Sequence, residues 1–236
     1  MKIKISLFII ILILAVNHIF GQEEINTIKV TYECLANKIT WPKDYDYYVE
    51  SSLYVNDSVS QYKFEKPKKV IGVDNFRMTI ETHNFIDTYK YKVNELTEQR
   101  KLESGKVIQA TWSPDYQWEI TDDSKEINGY KAYKAITKSI EIDSLETMYY
   151  GDVYAWFTPD IPLPVGPDRY VGLPGLILEI SYERSNIYTK LKSIEFNAEF
   201  NYFEYKKPVG LDDPRDVIYF YHHNPKLVNE TLKKAE

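Results

Sequence analysis

Between Thr158 and Leu176 the chain reads Pro-Asp-Ile-Pro-Leu-Pro-Val-Gly-Pro-Asp-Arg-Tyr-Val-Gly-Leu-Pro-Gly, which holds five of its eleven prolines and three of its nine glycines. Proline has no amide hydrogen to give to a helix interior or a central strand, so neither can form here. On both sides the pattern is extended. Val153, Ala155 and Phe157 alternate with Tyr154 and Trp156, and Leu176, Leu178, Ile180 and Tyr182 alternate with Ile177, Glu179, Ser181 and Glu183. Two strands are therefore joined by a stiffened loop, and whatever the rest of the chain builds has to accommodate it.

The rest reads as short extended segments broken by turns. Thr27 to Glu33 alternates cleanly; Tyr45 to Val55 and Val59 to Glu65 form a hairpin across Asn56-Asp57-Ser58. Phe76 to Thr82 and Phe85 to Tyr91 flank His83-Asn84, and Leu96 to Glu103 pairs with Val107 to Trp112 across Ser104-Gly105-Lys106. Tyr116 to Ile120 is followed by a polar stretch, Thr121 to Ile127, and Asn128-Gly129 opens another strand, Tyr130 to Thr137. In Ile187 to Phe196 the apolar positions change phase between Leu191 and Ile194, which predicts a bulge. Phe200 to Tyr205 reads as one more strand, Lys207 to Gly210 breaks the pattern, and Asn224-Pro225 caps a short helix carrying Leu227, Val228, Thr231 and Leu232 on one face. With 21 tyrosines and ten phenylalanines spread along the chain, the expected fold is all-β and mainly antiparallel. It is a strongly curved sheet or partial barrel, because a long flat sheet leaves exposed edges, with the Pro/Gly-rich loop as its cover and a short C-terminal helix.

Lys2 and Lys4 precede an apolar run from Ile5 to Val16, and Phe20-Gly21-Gln22 offers a small residue for cleavage. A dozen apolar residues fall short of the roughly 20 that span a bilayer. The reading is a signal peptide over residues 1–21 and a single β domain over 22–236, exported to the periplasm or beyond, possible association with the outer membrane included, with no transmembrane anchor after processing. Removal of the leader takes two of the 29 basic residues and none of the 35 acidic ones, moving the formal charge from −6 to −8. That disfavours nucleic acid as a partner. The single cysteine, Cys34, cannot form an internal disulfide, so the fold rests on its core. Its place on the strand face of Ile28, Val30 and Tyr32 predicts a buried thiol.

Gly172-Leu173-Pro174-Gly175-Leu176-Ile177 spells the signature of the GLPGLI family of secreted Gram-negative proteins, and the chain resembles a member. Family members commonly carry a cysteine where this chain has Ala132, between Gly-Tyr-Lys and Lys-Ala. The resemblance brings no activity with it. In architecture the expected half-barrel is similar to the periplasmic lipoprotein carriers, which bears on fold and not on function.

Candidate chemistry concentrates in the loop. Asp160, Asp168 and Arg169 are its charged residues, and Arg169 can hold a carboxylate through two parallel hydrogen bonds, as a structural clasp or as a ligand clamp. Trp156, Phe157, Tyr170 and Leu173 are either plugs for the barrel end or walls of a ligand site. No metal site is expected: His222 and His223 are adjacent and point to opposite faces of a strand, with only His83 besides once the leader is gone. No cofactor fingerprint or nucleophile elbow occurs. Three functions stay open. One is an exported non-enzymatic binding or chaperone-like envelope protein, holding an apolar or peptide-like ligand or an envelope partner at its concave aromatic face and the 158–174 loop. Another is a hydrolase-type enzyme using Asp160 or Asp168 with Arg169, and the third is a structural protein working through an uncharged sheet edge.

Overall fold

The computed structural model describes residues 27–35, 47–64, 69–70, 85–102, 105–138 and 151–211. The strands are β1 (Ile28–Leu35), β2 (Tyr47–Val55), β3 (Val59–Phe64), β4 (Lys69–Val70), β5 (Phe85–Lys90), β6 (Glu95–Lys101), β7 (Val107–Trp112), β8 (Glu119–Ile127), β9 (Tyr130–Lys138), β10 (Asp152–Thr158), β11 (Leu176–Tyr182), β12 (Ser185–Glu195) and β13 (Val209–Leu211). They form one sheet in the order β13-β7-β6-β5-β3-β2-β1-β12-β11-β10-β9-β8, with β4 beside β2. Every pairing is antiparallel except β13 on β7. Among the described residues the only helix is a single 3-10 turn, Tyr91–Val93.

The sheet has two ends and does not close, but chain length forces it to roll. β7 and β8 lie ten spacings apart along the sheet, about 48 Å if flat at the usual spacing near 4.8 Å. Only residues 113–118 join them, and seven residue steps reach at most about 25 Å. The two flanks therefore face each other across the interior. This is the strongly curved all-β sheet that alternation and edge avoidance predict.

Register defines the inner face. Tyr32 lies opposite Ser51 and Leu191, Leu53 opposite Tyr62, Tyr62 opposite Asp87, and Asp87 opposite Glu98. Val30, Tyr32, Leu53, Val55, Tyr62 and Leu96 form the main core on this face, together with Ile161, Val165 and Val171 of the loop. A second cluster gathers Ala135, Val153, Ala155, Phe157, Ile177 and Ile180 around Tyr170 and Leu173. Cys34 is buried, as its strand face predicts, with burial raising its thiol pKa. The expected bulge is present: Thr31 pairs with Ser193 and Tyr32 with Leu191, leaving Lys192 as the extra residue.

Three expectations are corrected. The segment read over Tyr116 to Ile120 becomes a strand only at Glu119 and runs on through the polar stretch 121–127 as β8, half-buried at Thr121, Lys125 and Ile127, otherwise exposed, and interrupted by a bulge between Ile120 and Ser124. Its polarity reflects an edge strand carrying Glu119, Asp122, Asp123 and Glu126. Residues 200–205 are not a strand, although they run extended across the outer face. Gln61 Nε2 donates to the Phe203 carbonyl (2.6 Å) and Gln61 Oε1 accepts from the Phe203 amide (3.2 Å). Gln99 holds the Tyr205 carbonyl and amide in the same way (3.4 and 3.0 Å). Two glutamines thus substitute for a ladder and bury themselves in doing so. Val209–Leu211, expected to break the pattern, pairs with β7 as β13. The strand expected over 76–82, its turn at His83-Asn84, His222-His223 and the C-terminal helix lie outside the described residues.

Candidate functional site

The loop from Pro159 to Gly175 gets its shape from its prolines. Leu163 N–H donates to the Ile161 carbonyl, Val165 to Leu163 and Gly175 to Leu173, each at 2.8 Å. Each of these two-residue closures has a proline at its centre: Pro162, Pro164 and Pro174. Proline's fixed φ near −65° is close to the value an inverse γ-turn requires of its central residue. The loop is then tied to β11 by Leu176 N–H to the Ile161 carbonyl and Ile177 N–H to the Val165 carbonyl (both 2.9 Å). Val165 and Val171 bridge its two limbs.

The glycines of the motif have separate causes. Gly172 has φ +92°, which L side chains rarely adopt, while a Cβ on Gly175 would stand 2.1 Å from the Thr158 carbonyl oxygen. From β1, Tyr32 donates its buried hydroxyl to the Ile177 carbonyl at 2.7 Å, just past the motif's Leu176.

So held, the loop fills the interior. Phe157, Tyr170 and Leu173 are all buried in the second core cluster. Trp156 sits half-buried on the other face of β10, with Lys125 Nζ 4.2 Å from its ring centroid and Glu179 holding that lysine at 2.8 Å. Asp160 is exposed at the loop's start, and no ion pair among the described residues joins it to Asp168 or Arg169. Asp168 and Arg169 do meet, at 3.8 Å.

Arg169 turns to partners that the loop sequence does not reveal. Its Nη1 lies 3.3 Å from Glu98 Oε1 on β6; Glu98 Oε2 accepts from Arg100 Nη2 (3.1 Å); Arg100 Nη1 donates to Asp87 Oδ1 on β5 (2.6 Å). Asp87-Arg100-Glu98-Arg169-Asp168 is thus a chain of five charges, and the Glu98 side chain is fully enclosed. Three acids face two guanidiniums. Burial, reinforced by Glu98 and opposed by Arg100, pushes Asp87 up to about 8, and burial raises Glu98 as well. Burial thus favours the neutral acid at both carboxyls, and the two guanidiniums oppose it. Burial works against the charge on Arg169, but Glu98 and then Asp168 more than offset it. Asp87 Oδ2, Glu98 Oε1 and Arg169 Nη1 have no hydrogen-bond partner among the described residues. The signal for this network was present in the sequence as charges in phase with apolar neighbours, Leu96-x-Glu98-x-Arg100 and Asp87-x-Tyr89.

The loop meets the crossing segment 113–118. Tyr116 packs on Tyr170 (centroids 5.5 Å apart), and Trp118 donates its indole N–H to the Val171 carbonyl at 2.9 Å. On the far side of Tyr116 is a cleft of about 470 Å³, lined by Trp112, Pro114, Asp115, Tyr116, Gln117 and Glu119 together with Ile136, Thr137, Lys138 and Asp152. The Tyr116 hydroxyl is shielded from solvent and lacks a partner among the described residues. Sequence reading did not single out these residues, because the cleft is made by bringing β7, β8, β9 and β10 together. Among the described residues, no group of three or more His, Cys, Asp or Glu could hold a metal ion, and no helix is long and apolar enough to cross a membrane.

Comparison with known proteins adds a family-model match over part of the chain and a likeness of fold. The family model described as "Protein of unknown function (Porph_ging)" matches residues 138–179, a span that includes β10, the loop and the Gly172–Ile177 motif. No curated protein matches the chain. The structure of PNGF-II is similar in two crystal forms. In one the TM-score is 0.55 at 17% identity over 83% of this chain and 33% of that one. In the other it is 0.56 at 16% identity over 83% and 34%. The chain thus spans about a third of PNGF-II, and the likeness is one of fold. A putative outer membrane lipoprotein-sorting protein domain from Vibrio parahaemolyticus aligns over 79% of this chain and 92% of its own at 8% identity, with a TM-score of 0.33, below what a common fold requires.

Proposed function

We propose that the protein is an exported, non-enzymatic binding or chaperone-like module of the bacterial envelope, and that its ligand site is the cleft beside Tyr116 where the crossing segment meets β8, β9 and β10. The observation that carries this reading is the cleft itself, a concavity of about 470 Å³ lined by the apolar or aromatic Trp112, Pro114, Tyr116 and Ile136 together with six polar or charged residues. Its size and mixed lining are those of small-ligand and peptide pockets. The site expected from the loop, Trp156, Phe157, Asp160, Asp168, Arg169, Tyr170 and Leu173, takes a supporting part in this reading. Tyr170 backs Tyr116, and the buried Glu98–Arg169 contact fixes the loop in place. The ligand is apolar or peptide-like, or a segment of an envelope protein.

The hydrolase reading loses its clamp, because Arg169 is held by Glu98 and Asp168 inside the fold. The edge-pairing reading wanted an uncharged edge; β8 is acidic and bulged, and the other edge, β13, is uncharged but only three residues long. Native mass spectrometry of the mature protein from its own envelope tests the proposal, with Gln117→Trp filling the cleft from an exposed position. We expect an adduct, or a cross-linked partner, that the variant loses. Bare mass with no partner, or an adduct that Gln117→Trp leaves unchanged, overturns it.

A further inference from the structure

We infer that the occupant of the cleft is cationic: a Lys or Arg side chain presented by a peptide. This rests on the binding reading above and deepens it. The lining carries three carboxylates, Asp115, Glu119 and Asp152, against one cation, Lys138. Lys138 is already paired with Asp152. Asp115 accepts a neutral amide, from Gln117 Nε2 at 2.9 Å, and among the described residues neither Asp115 nor Glu119 forms an ion pair. Two negative charges on one rim are therefore unbalanced.

The rest of the lining suits the same occupant. Trp112 and Tyr116 make part of the lining aromatic, the side-chain type that attracts a cation, and Pro114 and Ile136 offer apolar surface to the methylene stem that lysine and arginine carry behind the charged head. An anionic lipid or fatty acid would instead set its head group against Asp115 and Glu119, and the whole chain, at −6, repels it at longer range. Charge complementarity thus selects the peptide-like class over the acidic apolar one, with arginine favoured because a planar guanidinium can both stack on Trp112 and bridge carboxylates.

The test is calorimetric titration of the full mature protein with three acetylated, amidated peptides: Val-Arg-Val, Val-Gln-Val and Val-Glu-Val. Val-Arg-Val should bind at least about tenfold more tightly than the other two, as one charge-assisted contact implies. Added salt should weaken it. Asp115→Asn combined with Glu119→Gln should erase the preference while leaving the melting temperature unchanged, since neither side chain is part of the core. Equal affinity for all three peptides, or a preference for Val-Glu-Val, overturns the cationic inference and leaves the binding reading intact. No binding of any of the three, with no adduct on the native protein, overturns both.

Discussion

Arg169→Met is the sharpest probe of what holds the loop. Methionine keeps most of the apolar stem and removes the cation beside Glu98, a carboxylate whose side chain is fully enclosed. Breaking a buried ion pair by deleting one partner costs about 3–5 kcal/mol, because the remaining charge stays buried without compensation. Glu98 retains Arg100 at 3.1 Å, so the lower end applies. Asp168, whose side chain is 31% exposed, adds little because water screens it. A loss of about 3 kcal/mol should lower the melting temperature by roughly 6–12 °C in a domain of this size. Urea and thermal unfolding of the single variants and of Arg169→Met/Glu98→Met complete a double-mutant cycle. The double variant should recover to within about 1 kcal/mol of the parent, since Arg100 keeps Asp87 at 2.6 Å and no charge is stranded. An Arg169→Met protein within about 0.5 kcal/mol of the parent, or a double variant that merely sums the two losses, would refute the clasp.

Two further outcomes follow from the same contacts. Asp87 rises from 3.8 to about 8 on folding, so between those values the folded state binds more protons than the unfolded one and stability falls as pH rises. The slope from this group is up to about 1.4 kcal/mol per pH unit, and urea melts from about pH 5 to about pH 8 should show a fall that Asp87→Asn flattens. Gly175→Ala should prevent normal folding or cost more than about 2 kcal/mol, while Gly172→Ala should cost only about 1 kcal/mol. The reason is that the added methyl meets rigid backbone at the first site and open space at the second, a difference that thermal melts and limited proteolysis of the pair would show.

Hairpins built from local pattern were legible in the sequence. β2–β3 and β6–β7 form as alternation and turn residues indicate, and the phase change between Leu191 and Ile194 marks the bulge. Residues 116–120 and 200–205 misled for one reason: whether a segment becomes a strand is set by what lies alongside it, not by its own pattern. A solvated acidic segment can pair on one side, and an aromatic one can be held by two glutamine side chains in place of a ladder.

Local sequence also determined the stiffness of the Thr158–Leu176 connection. Proline's backbone restriction is intrinsic to the residue, and three of the loop's turns are centred on one. Where that stiff segment goes was decided only in three dimensions. Strand order places β6 six spacings from β11, and rolling the sheet brings Glu98 to Arg169 and Trp112 to Ile136. A buried charge and a cleft both depend on residues far apart in the chain, and loop closure by six residues between β7 and β8, not any local propensity, sets the curvature that joins them.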